Sequence, residues 1–244
     1  MDFSAYLNMS AVWLNEHALA VVATMAVIAL ITEAMNGSGL RSASRATTAR
    51  WLQTWLTNAG LLVCALSVAS LLAPWLASSF GVVLSGESGL LAWLKEAGIP
   101  YTSQVLLGML LLDLLNYGLH RVFHRIPLLW RLHQVHHSDT AVNASTHFRQ
   151  HPVQVVVLPL MQLPMLWLLG ISGVSWVLYA TLSTVAQLWQ HAEPGKLAHA
   201  NRWLGFVLIT RSAHRTHHDQ RHVFHDRNYG TLFSVWDRLL GTYS

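Results

Sequence analysis

The chain has 244 residues, 53% of them hydrophobic and only 11% charged, with eleven Trp and a mean hydropathy of +0.37. That is the composition of a membrane protein with one sizeable core. The net charge of +4 is almost all arginine, and a lone Cys64 excludes a disulfide framework and a thiolate metal cluster. The arginines flank apolar runs and no nucleic-acid-binding motif is present, so nucleic acid is excluded as a partner.

Residues 1–16 carry no Lys or Arg, so no cleaved signal peptide is predicted. A first span is predicted over 17–35. The loop that follows holds Arg41, Arg45 and Arg50, which places it in the cytoplasm and the N-terminus outside. A second span is predicted over 52–77. Residues 78–100 carry Glu87, Lys95 and Glu96 and read as an outer loop with a short interfacial helix. The third span begins near 101, after Pro100, and ends near His120 among cytoplasmic arginines. Residues 1–112 thus read as a membrane region and 113–244 as the region that carries fourteen of the fifteen histidines. Within the latter, a membrane hairpin is predicted over 152–190, split by Gly170 and Gly173 and either crossing and returning or dipping in from one side. The chain closes on an amphipathic segment containing Leu232, Phe233, Val235, Trp236, Leu239 and Leu240.

Fifteen histidines are present and only His17 precedes position 120. His120 and His124 are one turn apart on a predicted helix. His133, His136 and His137 follow in an H-x-x-H-H pattern, and His214, His217 and His218 repeat it. Spacings of three and four bring imidazoles onto one helical face, so each pattern serves one ion and leans towards a second. His191 stands at the end of the last apolar run. Nine imidazoles exceed a four-coordinate zinc site and suit a dinuclear one. Few acids are available, so the site is histidine-dominated, and imidazole alone does not select the metal. Such a site is costly in hydrocarbon and belongs at the cytoplasmic ends of the spans. Asp113, two turns before His120, is a candidate to orient a ligand ring. His151 is a further candidate, shared between structural and catalytic roles. His17, His147, His199, His222 and His225 read as ordinary surface or core histidines. A haem-binding electron carrier would need histidine pairs within the spans. A divalent-metal transporter would need mid-span polar groups, and neither pattern is seen here.

From Asp113 to Ser138 the chain resembles the fatty acid hydroxylase / sterol desaturase superfamily of membrane histidine-rich di-iron oxygenases. F-R-Q-H-P at 148–152, W-Q-H at 189–191, H-R-T-H-H at 214–218 and N-Y-G-T-L-F-S-V-W-D-R-L-L-G-T-Y at 228–243 resemble further segments of that family. The chain departs from the family pattern at Gln154, Gln187, Arg211 and Ala213. The resemblance implies an all-α integral membrane bundle of about four transmembrane helices or hairpins, with a cytoplasmic histidine-rich cap. It implies that His120, His124, His133, His136, His137, His191, His214, His217 and His218 bind two iron ions, with zinc able to replace them in purified protein. It also implies O2-dependent hydroxylation or desaturation of a lipid, with electrons from a separate ferredoxin, cytochrome b5-like protein or reductase. The membrane would be the inner membrane in a bacterium and the endoplasmic reticulum in a eukaryote.

Overall fold

A computed structural model describes residues 45–84, 89–192, 203–219, 221 and 226–244, together with Val27 and Ile31. The predicted first span, 17–35, therefore lies almost wholly outside the described residues. All the regular elements among these residues are helical: α1 (Arg45–Val83), α2 (Leu90–Glu96), α3 (Tyr101–Arg125), α4 (Pro127–His137), a 3-10 turn (Ala144–Phe148), α5 (Gln154–Leu169), α6 (Gly173–His191), α7 (Arg211–His217) and α8 (Val235–Leu239). A single antiparallel bridge joins Leu208 to Phe233.

Two helices, within Ala49–Leu76 and Tyr101–Arg125, are long and apolar enough to cross a membrane. At about 1.5 Å per residue each exceeds the roughly 30 Å of a hydrocarbon core. Helix α1 leaves Leu56, Val63 and Leu71 exposed, as a lipid-facing helix does. It also runs on to Val83, so the expected outer loop starts six residues later than the charges at 87–96 suggested. Val82 and Val83 simply prolong the helix, and only then does the chain turn. The expected short helix is present as α2. Helix α3 continues past the expected end of the span near His120 to Arg125, which keeps His120 and His124 on one helix, as their spacing predicted. The boundary at 112/113 falls inside α3.

Local chemistry fixes the corners. Ile126 is extended and Pro127 occupies the first turn of α4, where its missing N–H costs nothing. Gly170, at φ 67°, ends α5 in the left-handed conformation. The Ser172 hydroxyl then accepts the Ser175 N–H to start α6. The Gly173 N–H donates to the Leu84 carbonyl, so the α5–α6 turn docks at the far end of α1. From there α6 returns to deliver His191 to the histidine end. Helix α3 packs against α6 closely enough that a Cβ at Gly108 would lie 2.7 Å from the Ser175 hydroxyl.

A candidate dinuclear metal centre

The helices bring nine imidazoles into two adjoining groups. His120, His124, His133, His137 and His217 form one, and His136, His191, His214 and His218 the other, with the ligating nitrogens of each within 4.8 Å of one another. The two H-x-x-H-H patterns divide in opposite ways. Helix α4 gives His133 and His137 to the first group and His136 to the second. Helix α7 with its C-cap gives His217 to the first and His214 and His218 to the second. Neighbours in sequence point about 100° apart on a helix, which is why 136/137 and 217/218 face different groups. The His137 and His218 rings stack at 4.5 Å across the junction.

Backbone carbonyls select the ring tautomers. His120 Nδ1 lies 2.8 Å from the Tyr229 carbonyl, His191 Nδ1 2.7 Å from the Gln187 carbonyl, His217 Nδ1 2.7 Å from the Arg227 carbonyl and His136 Nδ1 3.3 Å from the Arg149 carbonyl. A carbonyl only accepts, so each Nδ1 carries the proton and each Nε2 presents a lone pair. Two such lone pairs, on His136 and His191, face each other at 3.3 Å. That contact is repulsive unless a cation lies between them. Metal–nitrogen bonds of about 2.1 Å place adjacent ligand nitrogens about 3.0–3.4 Å apart. The spacings His120–His133 at 3.1 Å, His191–His218 at 3.2 Å and His191–His214 at 3.0 Å fall in that range. His137 Nε2 is buried without a hydrogen-bond partner. The donor set fits a metal pair.

Burial, reinforced by neighbouring rings, holds His133, His136, His137, His214 and His218 well below the usual imidazole range. Neutral rings are the form that binds a metal. Beside His124 stands Asp226, at 3.7 Å from Nδ1. Its carboxylate also meets Arg125 at 3.5 Å and accepts the Tyr229 hydroxyl.

Neither Asp113 nor His151 belongs to either imidazole group. None of the hydrogen bonds of Asp113 reaches an imidazole. Its carboxylate accepts the Leu232 and Phe233 N–H groups, the Trp236 indole N–H and the Tyr179 hydroxyl. It clamps the C-terminal segment onto α3, and that segment in turn carries the Tyr229 carbonyl to His120. His151 lies outside both groups, and its Nδ1 accepts the Val153 N–H at the entry to α5. His147, expected to be an ordinary surface or core histidine, is half-buried, with its ring 6.3 Å from His191 and its side chain bonded to Gln187. Burial pushes it down to about 4.

Sequence reasoning missed the support under α4. Asn58 of α1 is fully buried and donates to the Ser145 hydroxyl. Arg149 donates to Asn58 Oδ1 and to the Val135 carbonyl. Thr146 donates to Asp139, while an Asn143 capping box fixes the 3-10 turn. Asn58, an amide in a mostly apolar span, was the available signal. Among the departures from the family pattern, Gln154 Nε2 sits 3.3 Å from His133 Nδ1, and the Arg211 guanidinium lies 4.8 Å from the Trp189 ring centroid. His199, His222, His225 and Arg202 lie outside the described residues.

A family model described as fatty acid hydroxylase matches residues 105–242. The chain is 33% identical over 138 residues to an alkylglycerol monooxygenase of Danio rerio, covering 57% of this chain and 30% of that protein. It is 29% identical over 145 residues to an ornithine lipid hydroxylase of Rhizobium tropici, covering 59% and 43%. It is 28% identical over 148 residues to sphinganine C4-monooxygenase 1 of Arabidopsis thaliana, covering 57% and 54%. The chain thus spans about a third to a half of the length of these relatives. No solved structure matches it.

Proposed function

The chain belongs to the fatty acid hydroxylase family, and from that membership we propose that it is a membrane-bound oxygenase that hydroxylates an unactivated C–H bond of a lipid. The reaction breaks that C–H bond, places one oxygen atom of O2 on the carbon and releases the other as water. It consumes two electrons and two protons, supplied by a separate donor such as a ferredoxin, a cytochrome b5-like protein or a reductase. Three relatives named as lipid monooxygenases or hydroxylases support this reading. The observation that carries it is the convergence of nine imidazoles into groups of five and four.

In this reading His120, His124, His133, His137 and His217 hold one iron ion, and His136, His191, His214 and His218 hold the other. Iron held there supplies the reductive activation of O2. The chain's own part is to keep the rings neutral and their Nε2 atoms convergent through the Tyr229, Gln187, Arg227 and Arg149 carbonyls. Burial of the rings keeps water from the reacting centre. Residues 113–244 act as the catalytic region and 1–112 as the membrane region. The site faces the cytoplasm with the N-terminus outside, in the inner membrane of a bacterium or the endoplasmic reticulum of a eukaryote. The arginine-rich face around Arg121, Arg131, Arg215 and Arg227 docks an acidic electron donor.

Metal content by mass spectrometry on anaerobically purified, iron-supplemented protein tests this reading. About two irons per chain are expected, lost in a His136→Ala/His217→Ala double variant, with turnover of a lipid under O2 and reductant. Metal retained in the variant, or none in the native protein, overturns it.

A further inference from the structure

The C-terminal segment steps down α3 from the histidine end. Arg125 meets Asp226 at 3.5 Å, His120 Nδ1 meets the Tyr229 carbonyl at 2.8 Å, and the Tyr117 hydroxyl meets that of Thr242 at 2.9 Å. Deepest in this ladder, Asp113 holds the backbone N–H groups of Leu232 and Phe233 and the indole N–H of Trp236. Residues 203–209 follow the segment down. The Ile209 N–H donates to the Leu232 carbonyl and the Ser234 N–H to the Val207 carbonyl.

Asp113 lies 12 residues from Tyr101 and 12 from Arg125, about 18 Å of helix either way. The exposed charges of Lys95 and Glu96 stand just before Pro100, so a span begins close to Tyr101. A hydrocarbon core of roughly 30 Å that begins there still encloses Asp113. Whatever is bonded to Asp113 therefore lies at membrane depth. Leu106, Leu110 and Leu114, exposed along one stripe of α3, bracket the same level.

The exterior of the descending segment suits that place. Trp203, Leu204, Phe206, Val207, Leu239 and Leu240 are between 44% and 76% exposed. Hydrocarbon offers no hydrogen bonds, so backbone at that depth must be satisfied by protein. The N–H groups of Phe206, Val207, Leu208 and Ile209 all donate to carbonyls of this chain. The Gly205 carbonyl accepts the Ser234 hydroxyl and the Arg238 guanidinium. Arg238 is exposed, but its guanidinium is folded back over the rings of Tyr243 and Phe206, at 3.7 and 5.2 Å from their centroids.

We propose that residues 203–209 and 232–240 form a re-entrant membrane element. It enters the bilayer from the histidine end, packs beside α3 as deep as Asp113 and presents those six side chains to lipid acyl chains. The histidine cap is then seated in the membrane by its own C-terminal segment as well as tethered to it by the spans. The inference rests on the membrane-bound reading, through the crossing of α3.

The test is a bimane fluorophore attached through Phe206→Cys or Leu239→Cys, in a Cys64→Ser background, on iron-loaded protein in nanodiscs. Quenching by phosphatidylcholine brominated along its acyl chains is compared with quenching by aqueous iodide. Leu71→Cys on α1, 81% exposed, is the lipid reference, and Arg131→Cys on the exposed face of α4 is the aqueous one. Both test positions should behave as Leu71→Cys does, losing emission to brominated lipid and not to iodide. Iodide quenching as strong as at Arg131→Cys overturns the proposal, and a lipid-quenched Leu71→Cys then leaves the membrane-bound reading standing. Quenching by neither agent also overturns it, because protein (the predicted first span or a second copy of the chain) then covers the surface. Iodide quenching of Leu71→Cys as well overturns both. Iron content at the native level checks each variant's fold, and the two test positions report independently, so either decides the matter if the other fails to fold.

Discussion

Each ring whose Nδ1–H is turned to a backbone carbonyl has its Nε2 lone pair committed inward, so single substitutions should separate the two groups. His191→Ala removes one of four rings from the smaller group and should cut bound iron by about one ion per chain. His151→Ala, which removes only the acceptor for the Val153 N–H, should leave iron unchanged. Metal analysis of the two variants side by side reads both outcomes. The same rings set the acid limit of the metal-free protein. His147 and the cap histidines have folded values lowered by burial, whereas the unfolded chain binds protons at the ordinary value of about 6.5. The unfolded state thus takes up more protons below that value, and stability falls with pH. Above pH about 6.5 these groups should make stability nearly independent of pH. His147 alone, lowered to about 4, should cost about 3 kcal/mol once the pH has dropped past its folded value. Thermal unfolding of metal-free protein in detergent between pH 4 and 8 measures the slope.

Helix α3 is the element on which the site hangs, since it carries His120 and His124 at one end and Asp113 two turns earlier. The Asp113 carboxylate holds Leu232, Phe233, Trp236 and Tyr179 together. Asp237 makes the second half of the clamp, accepting the Tyr229 and Gly230 N–H groups and the Thr242 hydroxyl. Asp113→Ala leaves several buried donors unpaired and should destabilise the protein by about 3 kcal/mol or more. Limited proteolysis should then cut first within 228–244, ahead of any loss of α1 or α3. Gly108 marks a close contact of α3 with α6. Gly108→Ala forces the Ser175 hydroxyl to move and should cost about 1–3 kcal/mol of stability, read as a lowered thermal midpoint.

Across the whole molecule, the apolar exterior of α1 contrasts with the polar network at its histidine end. Cys64 is exposed on α1, one to two turns beyond Asn58 and well inside the apolar stretch. In sealed membrane vesicles it should resist a charged, membrane-impermeant maleimide and react only after SDS denaturation. Labelling in intact vesicles would show α1 to face water. The same long-range architecture closes the site, because Asn58 of α1 reaches Ser145 and Arg149. Arg149 then holds the C-terminal turn of α4 through the Val135 carbonyl and meets His136 through its own carbonyl oxygen.

The sequence by itself determined what depends on short range. Helical spacing put His120 with His124 and grouped each H-x-x-H-H pattern on one arc, and hydropathy marked α1 and α3. A short helix within 78–100, which the structure places at 90–96, and the return of residue 191 to the histidine end were legible for the same reason. Only the tertiary structure decided which ring joins which group, because that depends on the angle at which α4 and α7 meet α3 and α6. It also reassigned Asp113 from the rings to the C-terminal clamp, a partnership spanning more than a hundred residues that no local pattern encodes. The support that Asn58 gives to Ser145 and Arg149 became visible only once burial was known, since a side chain's cost or use as a hydrogen-bonding group depends on what surrounds it and not on its neighbours in the chain.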